Sequence, residues 1–269
     1  MAGAAFGLAL AAAFLHAGWN LLLARARDVQ AATAVVLGIS VVLFAPVAAL
    51  TWDVDREVWP WALGSAAFEL AYFALLAFAY ERAELSVVYP VARGLAPVLV
   101  LAVGIASAAA GEIAGVALVG AGVLLVRGLR HPEGRGVLLG ALIAVCIAVY
   151  TLLDNRGIEH ANAFAYFELV VGVPGLVYVA ATWRRRGARA LRSELGWATL
   201  AAAVAATLAY VLVLLALDRA EAAPVAAVRE TSVVIAAALA ALLLGERVSR
   251  TRLAGATVVL AGVVLLALA

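Results

Sequence analysis

Lysine is absent from this sequence, cysteine and methionine occur once each, and only 13% of the 269 residues are charged. Soluble domains average about 25% charged residues and about half apolar ones. This chain is 67% hydrophobic, with a mean hydropathy of +1.09, so an ordinary soluble domain is excluded. The lone Cys146 lies in an apolar run, which excludes a disulfide or a thiolate metal site within one chain. A net charge of +2 gives no indication of a nucleic-acid partner.

Long hydrophobic runs fill almost the whole chain, and the charged breaks between them are short. A transmembrane helix needs about 20 apolar residues. On that criterion the spans are predicted near 4–24, 31–51, 61–80, 85–107, 111–127, 136–153, 162–182, 196–217, 222–244 and 253–269. The sequence therefore predicts an all-α integral membrane protein with ten transmembrane helices and no room for a soluble catalytic domain.

The two halves of the chain resemble each other. Residues 113–125 and 253–265 are identical at 7 of 13 aligned positions, and paired glycines fall at Gly115/Gly255 and Gly122/Gly262. We interpret this as an internal duplication, with five-helix repeats at residues 1–130 and 134–269. Since five is odd, the second repeat must enter the membrane in the opposite orientation. Inverted repeats are a common plan of secondary transporters, with the solute site near the midplane.

Arginine is distributed unequally between the two sides of the membrane. Fourteen arginines lie in or beside the loops after spans 1, 3, 5, 7 and 9, against three in the opposite loops. The fourteen are Arg25, Arg27, Arg82, Arg127, Arg130, Arg135, Arg184, Arg185, Arg186, Arg189, Arg192, Arg247, Arg250 and Arg252. The positive-inside rule assigns this side to the cytoplasm and both termini to the outside.

Charged residues inside the predicted spans are the candidates for a functional site. A charge in the bilayer costs at least about 2.5–3.5 kcal/mol, so it normally faces a cavity or a partner. Arg93 and Arg229 occupy corresponding places in spans 4 and 9, and in an inverted repeat they should flank the midplane. Tyr89 shares a helix face with Arg93. We expect the two guanidinium groups to bind an anionic group, or, alternatively, to lock helices together through ion pairs.

Three glutamates in the spans are the available partners of these arginines. Glu69 lies on a stripe with Tyr72, and Glu168 lies in span 7. Either carboxyl could carry a coupling proton or be a permanent partner of an arginine. Glu230 adjoins Arg229 but points about 100° away around the helix, which favours a structural role.

A polar and aromatic stripe in span 1 completes the predicted cavity. His16, Trp19 and Asn20 share one helix face. Tyr150 in span 6 is the repeat counterpart of Trp19. Tyr210 lies on a face of span 8 that is less polar. Histidine in such a position is more often structural than a ligand. No metal site is expected, because His131 and His160 are predicted in loops without a clustered ligand set.

Three short motifs resemble the EamA family of the drug/metabolite transporter (DMT) superfamily. They are His16-Ala17-Gly18-Trp19-Asn20, Tyr89-Pro90-Val91-Ala92-Arg93-Gly94 and Gly245-Glu246-Arg247. The resemblance covers both halves and implies that spans 1–4 and 6–9 surround the solute path while spans 5 and 10 pack outside it. It implies transport of amino acids, related metabolites or toxic compounds, often with protons. It also implies cytoplasmic termini, against the arginine count, which leaves the orientation open.

We therefore expect a secondary transporter of amino-acid-like or other small organic solutes, exporting by alternating access in a bacterial inner membrane. The alternatives are a lipid-carrier flippase and a membrane protein without transport activity. No enzyme activity and no cofactor are expected, because no nucleophile–base set can be assembled at the midplane. The expected partners are a small-molecule substrate and the lipid bilayer, without nucleic acid. GxxxG spacings at Gly111/Gly115 and Gly136/Gly140 could pack helices within the chain or in a homodimer.

Overall fold

A computed structural model describes residues 3–82, 85–106, 108–127, 134–244 and 249–268, and these are almost entirely α-helical. The helices are α1 (Gly3–Leu23), α2 (Val29–Leu50), α3 (Val58–Arg82), α4 (Leu85–Gly104), α5 (Ala110–Arg127), α6 (Gly134–Gly157), α7 (Ala163–Ser193), α8 (Trp197–Leu217), α9 (Ala222–Arg229), α10 (Thr231–Leu244) and α11 (Arg250–Leu268). One 3₁₀ turn, Ile158–His160, follows α6. The all-α prediction is confirmed for these residues.

The helices have the length and composition of membrane spans. Eight segments of the described chain can cross a membrane, one of them running through α9 into α10, and shorter apolar stretches lie in α5 and α11. Large apolar side chains face outwards, such as Leu50 at 88% and Leu242 at 80% exposure. Water would oppose this arrangement, whereas lipid tails solvate it. The chain is a multi-pass membrane protein.

Local capping explains where two of the helices begin. The Asp28 carboxylate accepts hydrogen bonds from the backbone N–H groups of Gln30 and Ala31, each at 3.1 Å. The Asn162 side chain accepts one from the Phe164 N–H at 3.0 Å. Both satisfy donors that the first helical turn leaves unpaired.

Two helices differ from the predicted spans. Helix α7 continues from residue 182 to Ser193 through the arginine cluster that the sequence placed in a loop, with a kink at Gly187, where φ is 78°. Arginine is a good helix former, so the hydrophobic run ended before the helix did. The ninth span is broken at Glu230 into α9 and α10. The predicted Gly245-Glu246-Arg247 motif and His131 lie outside the described residues.

Helices from the two halves of the chain alternate around a central space. Helix α1 packs on α8, α3 on α6, α4 on α6, and α2 on α7. Helices α5 and α11 pack mainly on each other. The space between the other helices therefore lies between residues from both halves.

Glycines bring α5 and α11 into backbone contact. A Cβ added at Gly255 would lie 2.5 Å from the Val126 nitrogen and 2.8 Å from the Gly122 oxygen. One added at Gly262 would lie 2.7 Å from the Gly115 oxygen. The pairs Gly115/Gly262 and Gly122/Gly255 thus meet crosswise. Close approach of this kind requires glycine.

Gly136 and Gly140 also pack within the chain. Cβ atoms at these positions would approach Val87 and Val91 of α4, at 3.2 Å and 2.8 Å. This GxxxG spacing therefore joins α6 to α4.

Gly255→Val is expected to destabilise the protein, because its side chain would overlap the α5 backbone. Overpacking typically costs about 1–3 kcal/mol. Thermal unfolding in detergent measures the effect as a lower melting temperature. Gly7→Val is the matched control, since nothing lies within 4 Å of its added Cβ. Equal melting temperatures for the two variants would contradict the packing of α5 on α11.

Candidate functional site: a cavity within the membrane

A cavity of about 140 Å³ lies in the interior of the helix bundle. One water needs about 10–15 Å³ on this measure, so the cavity has room for a small organic molecule. Its lining comes from α1, α2, α3, α4, α6, α7, α8 and α9, and none of the lining residues belongs to α5, α10 or α11. We call it the central cavity.

The wall of the central cavity combines aromatic rings with a few polar groups. The aromatic residues are Trp19, Tyr72, Phe73, Tyr150, Phe167 and Tyr210, and the polar or charged ones are His16, Thr33, Ser40, Glu69, Thr207, Arg93 and Arg229. Mostly apolar walls with a few convergent polar groups are typical of small-molecule sites.

Arg93 is held by partners from three helices. Its Nη1 donates to Glu230 Oε1 at 3.2 Å, and its Nη2 lies 2.7 Å from His16 Nε2 and 3.4 Å from the Tyr89 hydroxyl. Arginine can only donate, so His16 accepts through Nε2 and carries its proton on Nδ1. Arg93 is 7% exposed, and these contacts fix its guanidinium in place.

The other residues of the span 1 stripe contact the His16 and Tyr89 partners of Arg93. The His16 ring makes an edge contact with Trp19 at 5.0 Å between centroids. Asn20 donates to the His16 carbonyl oxygen at 2.7 Å, and its Oδ1 accepts from Tyr89 at 3.5 Å. Asn20 and Tyr89 do not line the cavity themselves. Asn20 thus links the His16 backbone to the Tyr89 hydroxyl, and the His16 and Tyr89 side chains both contact Arg93.

Arg229 makes fewer and longer polar contacts than Arg93. Its Nε lies 3.8 Å from Glu230 Oε1, beyond hydrogen-bond distance, and has no hydrogen-bond partner among the described residues. Arg229 is also buried, at 8% exposure. A buried guanidinium nitrogen without a hydrogen bond is costly, and a bound anion would satisfy it.

Glu230 lies at the break between α9 and α10 and reaches across to Arg93. Its side chain is fully buried, and its Oε2 has no hydrogen-bond partner within the described chain. The residue after Arg93 is Gly94, where α4 is continuous and packs closely on Gly120 and Leu124 of α5. Arg93 and Arg229 are therefore followed by different residues, and only Arg229 has a carboxylate next to it in the chain.

The three glutamates have different places in the structure. Glu69 lines the central cavity and lies within electrostatic range of Arg229, Arg93 and Asp154. Glu168 is not among the lining residues, and its Oε1 has no hydrogen-bond partner among the residues described. Glu230 pairs with Arg93 at 3.2 Å; the sequence turned it away from Arg229 alone and favoured a structural role for it. Tyr72 and Tyr150 line the cavity with ring centroids 6.3 Å apart.

A buried cluster around Asp154 escaped the sequence analysis. The Asp154 carboxylate accepts hydrogen bonds from the hydroxyls of Ser65 at 2.5 Å, Tyr166 at 3.2 Å and Tyr210 at 2.7 Å. It joins α3, α6, α7 and α8. The predicted span ends at residue 153, one residue before Asp154, whereas α6 continues to Gly157. The spacing of four between Tyr150 and Asp154, which places both on one helix face, was the available signal.

The Asp154 cluster lies at one end of the central cavity. Along α6 it lies between Tyr150, which lines the cavity, and the loop that follows the helix. At that end the Val54–Ala161 bridge also joins the α2–α3 loop to the α6–α7 loop. The cluster and the bridge therefore connect several helices at the same end of the bundle.

The structure does bring His160 close to two carboxylates. Ligand atoms of Asp55, Glu57 and His160 lie within 4.8 Å of one another on the loops at the same end, with both acidic residues exposed. The sequence predicted no such grouping, because residues 55 and 160 are far apart in the chain. Exposed acidic groups are common without a metal, and we assign no function to this one.

Comparisons with known proteins agree with this architecture. A crystal structure titled only "Crystal structure of protein" superposes with a TM-score of 0.77 over 98% of this chain and 97% of its own, at 16% identity, and shows a shared fold. The search of curated proteins finds no match. Residues 134–268, half of the chain, match the model of the EamA-like transporter family. The chain therefore belongs to the EamA family of the DMT superfamily.

Proposed function

We propose that this protein is a secondary transporter of small organic solutes that carry an anionic group, such as amino-acid-like metabolites. One observation carries the proposal: two buried arginines from different halves of the chain line one cavity inside the membrane. We further propose that it exports its solute across a bacterial inner membrane and has no catalytic activity.

Anion recognition follows from the different state of the two arginines. Arg93 is neutralised by Glu230, whereas Arg229 lacks hydrogen bonds at Nε. A planar guanidinium pairs well with a carboxylate or phosphate. The aromatic walls would receive the apolar part of the same solute. A solute of this kind fits the cavity in both charge and shape.

Alternating access is supported by helix contacts that occur in two equivalent versions when the two halves of the chain are interchanged. The pairing of α1 with α8 corresponds to that of α6 with α3, and the crosswise glycine pairs of α5 and α11 exchange in the same way. We propose that residues 1–130 and 134–269 are inverted five-helix repeats. Two such halves can exchange conformations, so the central cavity opens to each side in turn.

The direct test is flux of a labelled panel of amino acids and small carboxylates in proteoliposomes. Uptake above that of empty liposomes is expected for an anionic or zwitterionic member, and competition among members defines the class. Binding of polyprenyl phosphate without flux of any soluble member would favour the flippase instead.

Proton coupling is proposed to run through Glu69. Glu69→Gln is expected to abolish stimulation of transport by a pH gradient, because glutamine mimics a permanently protonated carboxyl. A pH-sensitive dye in the liposome lumen, together with solute flux, measures both movements. Glu168→Gln is the control and should keep the stimulation, since Glu168 does not line the cavity. If Glu168→Gln loses the stimulation and Glu69→Gln keeps it, Glu168 rather than Glu69 carries the proton.

A further inference from the structure

A second cavity, of about 250 Å³, lies between α3 and α7 at the end of the bundle opposite the Asp154 cluster. Its rim includes Arg82, Arg185 and Arg186, and its wall includes Ala77 and Tyr178. We call it the arginine-end cavity. Its basic rim and apolar wall match the two parts of an amphipathic anion.

The two cavities follow each other along the same helices. On α3 the central cavity is lined at residues 69–73 and the arginine-end cavity from residue 70 to Arg82. On α7 the central cavity is lined at residues 167 and 171 and the arginine-end cavity between residues 177 and 186. On α2 the central cavity extends to Ser40, whereas the arginine-end cavity is lined at Gln30. The two cavities therefore follow one another along α2, α3 and α7.

Phe73 is the residue shared by both cavities. It belongs to the lining of each, and its ring lies 5.5 Å from the Tyr178 ring, centroid to centroid. Phe73 therefore forms part of the wall between the two cavities and contacts α7 through Tyr178.

The rim carries more positive than negative charge. Arg82 and Arg185 share the Glu81 carboxylate, at 3.5 Å and 3.1 Å. Arg186 lies 3.2 Å from Asp28 and donates to Gln30 at 2.7 Å. Three guanidinium groups face two carboxylates, and all three are substantially exposed. Exposed ion pairs are weak, so a solute carboxylate can replace one of them.

We propose that the arginine-end cavity is a second binding site, which holds the anionic group of an amphipathic solute before or after its passage through the central cavity. Arg185 and Arg186 bind the anion, and Phe73 separates this site from Arg93 and Arg229. The proposal that solute binds here during transport rests on the proposed transport function. The preference of the site for anions does not depend on that function.

Charged thiol reagents test the anion preference without knowledge of the solute. In a Cys146→Ala background, Ala77→Cys places a single thiol in the arginine-end cavity. Sulfonatoethyl methanethiosulfonate is anionic and its trimethylammonium-ethyl analogue is cationic. With each rate divided by that for a free thiol in solution, the anionic reagent should react roughly fivefold faster at this site.

Matched arginine variants assign that preference to the rim. Arg185→Gln/Arg186→Gln should remove it, whereas Arg184→Gln/Arg189→Gln should retain it. The control removes the same charge from exposed positions of the same helix that do not line the cavity. Equal loss in both double variants, or no preference in the parent protein, would overturn the site.

The role of Phe73 is tested at a thiol in the central cavity. Phe73→Ala should accelerate modification of Ala206→Cys several-fold, because Ala206 lines the central cavity beyond the aromatic contact. Phe68→Ala, on the same helix but lining neither cavity, should leave the rate unchanged. Equal acceleration by both variants would remove the separating role of Phe73. If the thiol results hold and the labelled panel shows no flux, the transport proposal fails while the anion site stands.

Discussion

Arg229→Gln is expected to abolish solute transport while leaving the melting temperature close to that of the unmodified protein. Arg229 donates no hydrogen bond through Nε and lies 3.8 Å from Glu230, so its loss removes little internal stabilisation. It does remove the guanidinium that we assign to the solute anion. Loss of a buried charge-assisted pair costs about 2–5 kcal/mol, which corresponds to at least about a thirtyfold loss of affinity.

Arg93→Gln should behave differently, since it leaves Glu230 buried without its closest partner. Removing one member of a buried ion pair typically costs about 3–5 kcal/mol, and both transport and melting temperature should fall. Arg93→Gln/Glu230→Gln should recover much of the stability but not the transport. Thermal unfolding and proteoliposome flux on the same preparations measure both effects. If Arg229→Gln transports normally in a correctly folded protein, the anion site is wrongly assigned.

Asp154→Ala is expected to be the most destabilising single substitution near the central cavity. It removes the acceptor of three buried hydroxyls, Ser65, Tyr166 and Tyr210. Each donor left unpaired away from water costs about 1–3 kcal/mol, and the cluster joins four helices. The melting temperature in detergent should therefore fall sharply, and the protein should be prone to aggregate.

The neighbouring Asn155 provides the control for this prediction. Its side chain donates to the backbone oxygens of Leu217 and Ala220, at 2.7 Å and 3.3 Å. Asn155→Ala removes only these bonds to backbone, so a smaller loss of about 1 kcal/mol is expected. Asp154→Asn keeps one acceptor oxygen and should fall between the two. Equal losses for Asp154→Ala and Asn155→Ala would show that the cluster does not hold the helices together.

Hydrophobic runs predicted the helices well because each span needs about 20 apolar residues whatever its neighbours are. Arg93 and Arg229 could be recognised as candidate site residues from the sequence, because charged residues are rare inside transmembrane spans. Helix ends were harder to predict. The end of α6 decided whether Asp154 was a loop residue or a buried acceptor, and hydrophobicity alone could not fix it.

Contacts across the bundle could not be predicted, because they depend on how the helices rotate and where they break. The direction around an ideal helix turned Glu230 away from Arg229, but the sequence could not show that Glu230 reaches Arg93 from the break between α9 and α10. Helix α4, in contrast, contains Pro90 and Pro97 and stays continuous, although proline often kinks or breaks a helix. The position of Glu168 outside the central cavity likewise depends on which side of α7 meets α2.

The unequal pair of Gly94 and Glu230 has a consequence for the resting state of the protein. If the proposed repeats exchange conformations, with Arg93 corresponding to Arg229 and Gly94 to Glu230, the ion pair between Arg93 and Glu230 has no counterpart, because Gly94 offers Arg229 no carboxylate. The two end states then differ in free energy, and every 1.4 kcal/mol of difference changes their ratio about tenfold. An empty transporter would rest facing one side, and its apparent affinity for the solute would differ between the two faces of the membrane.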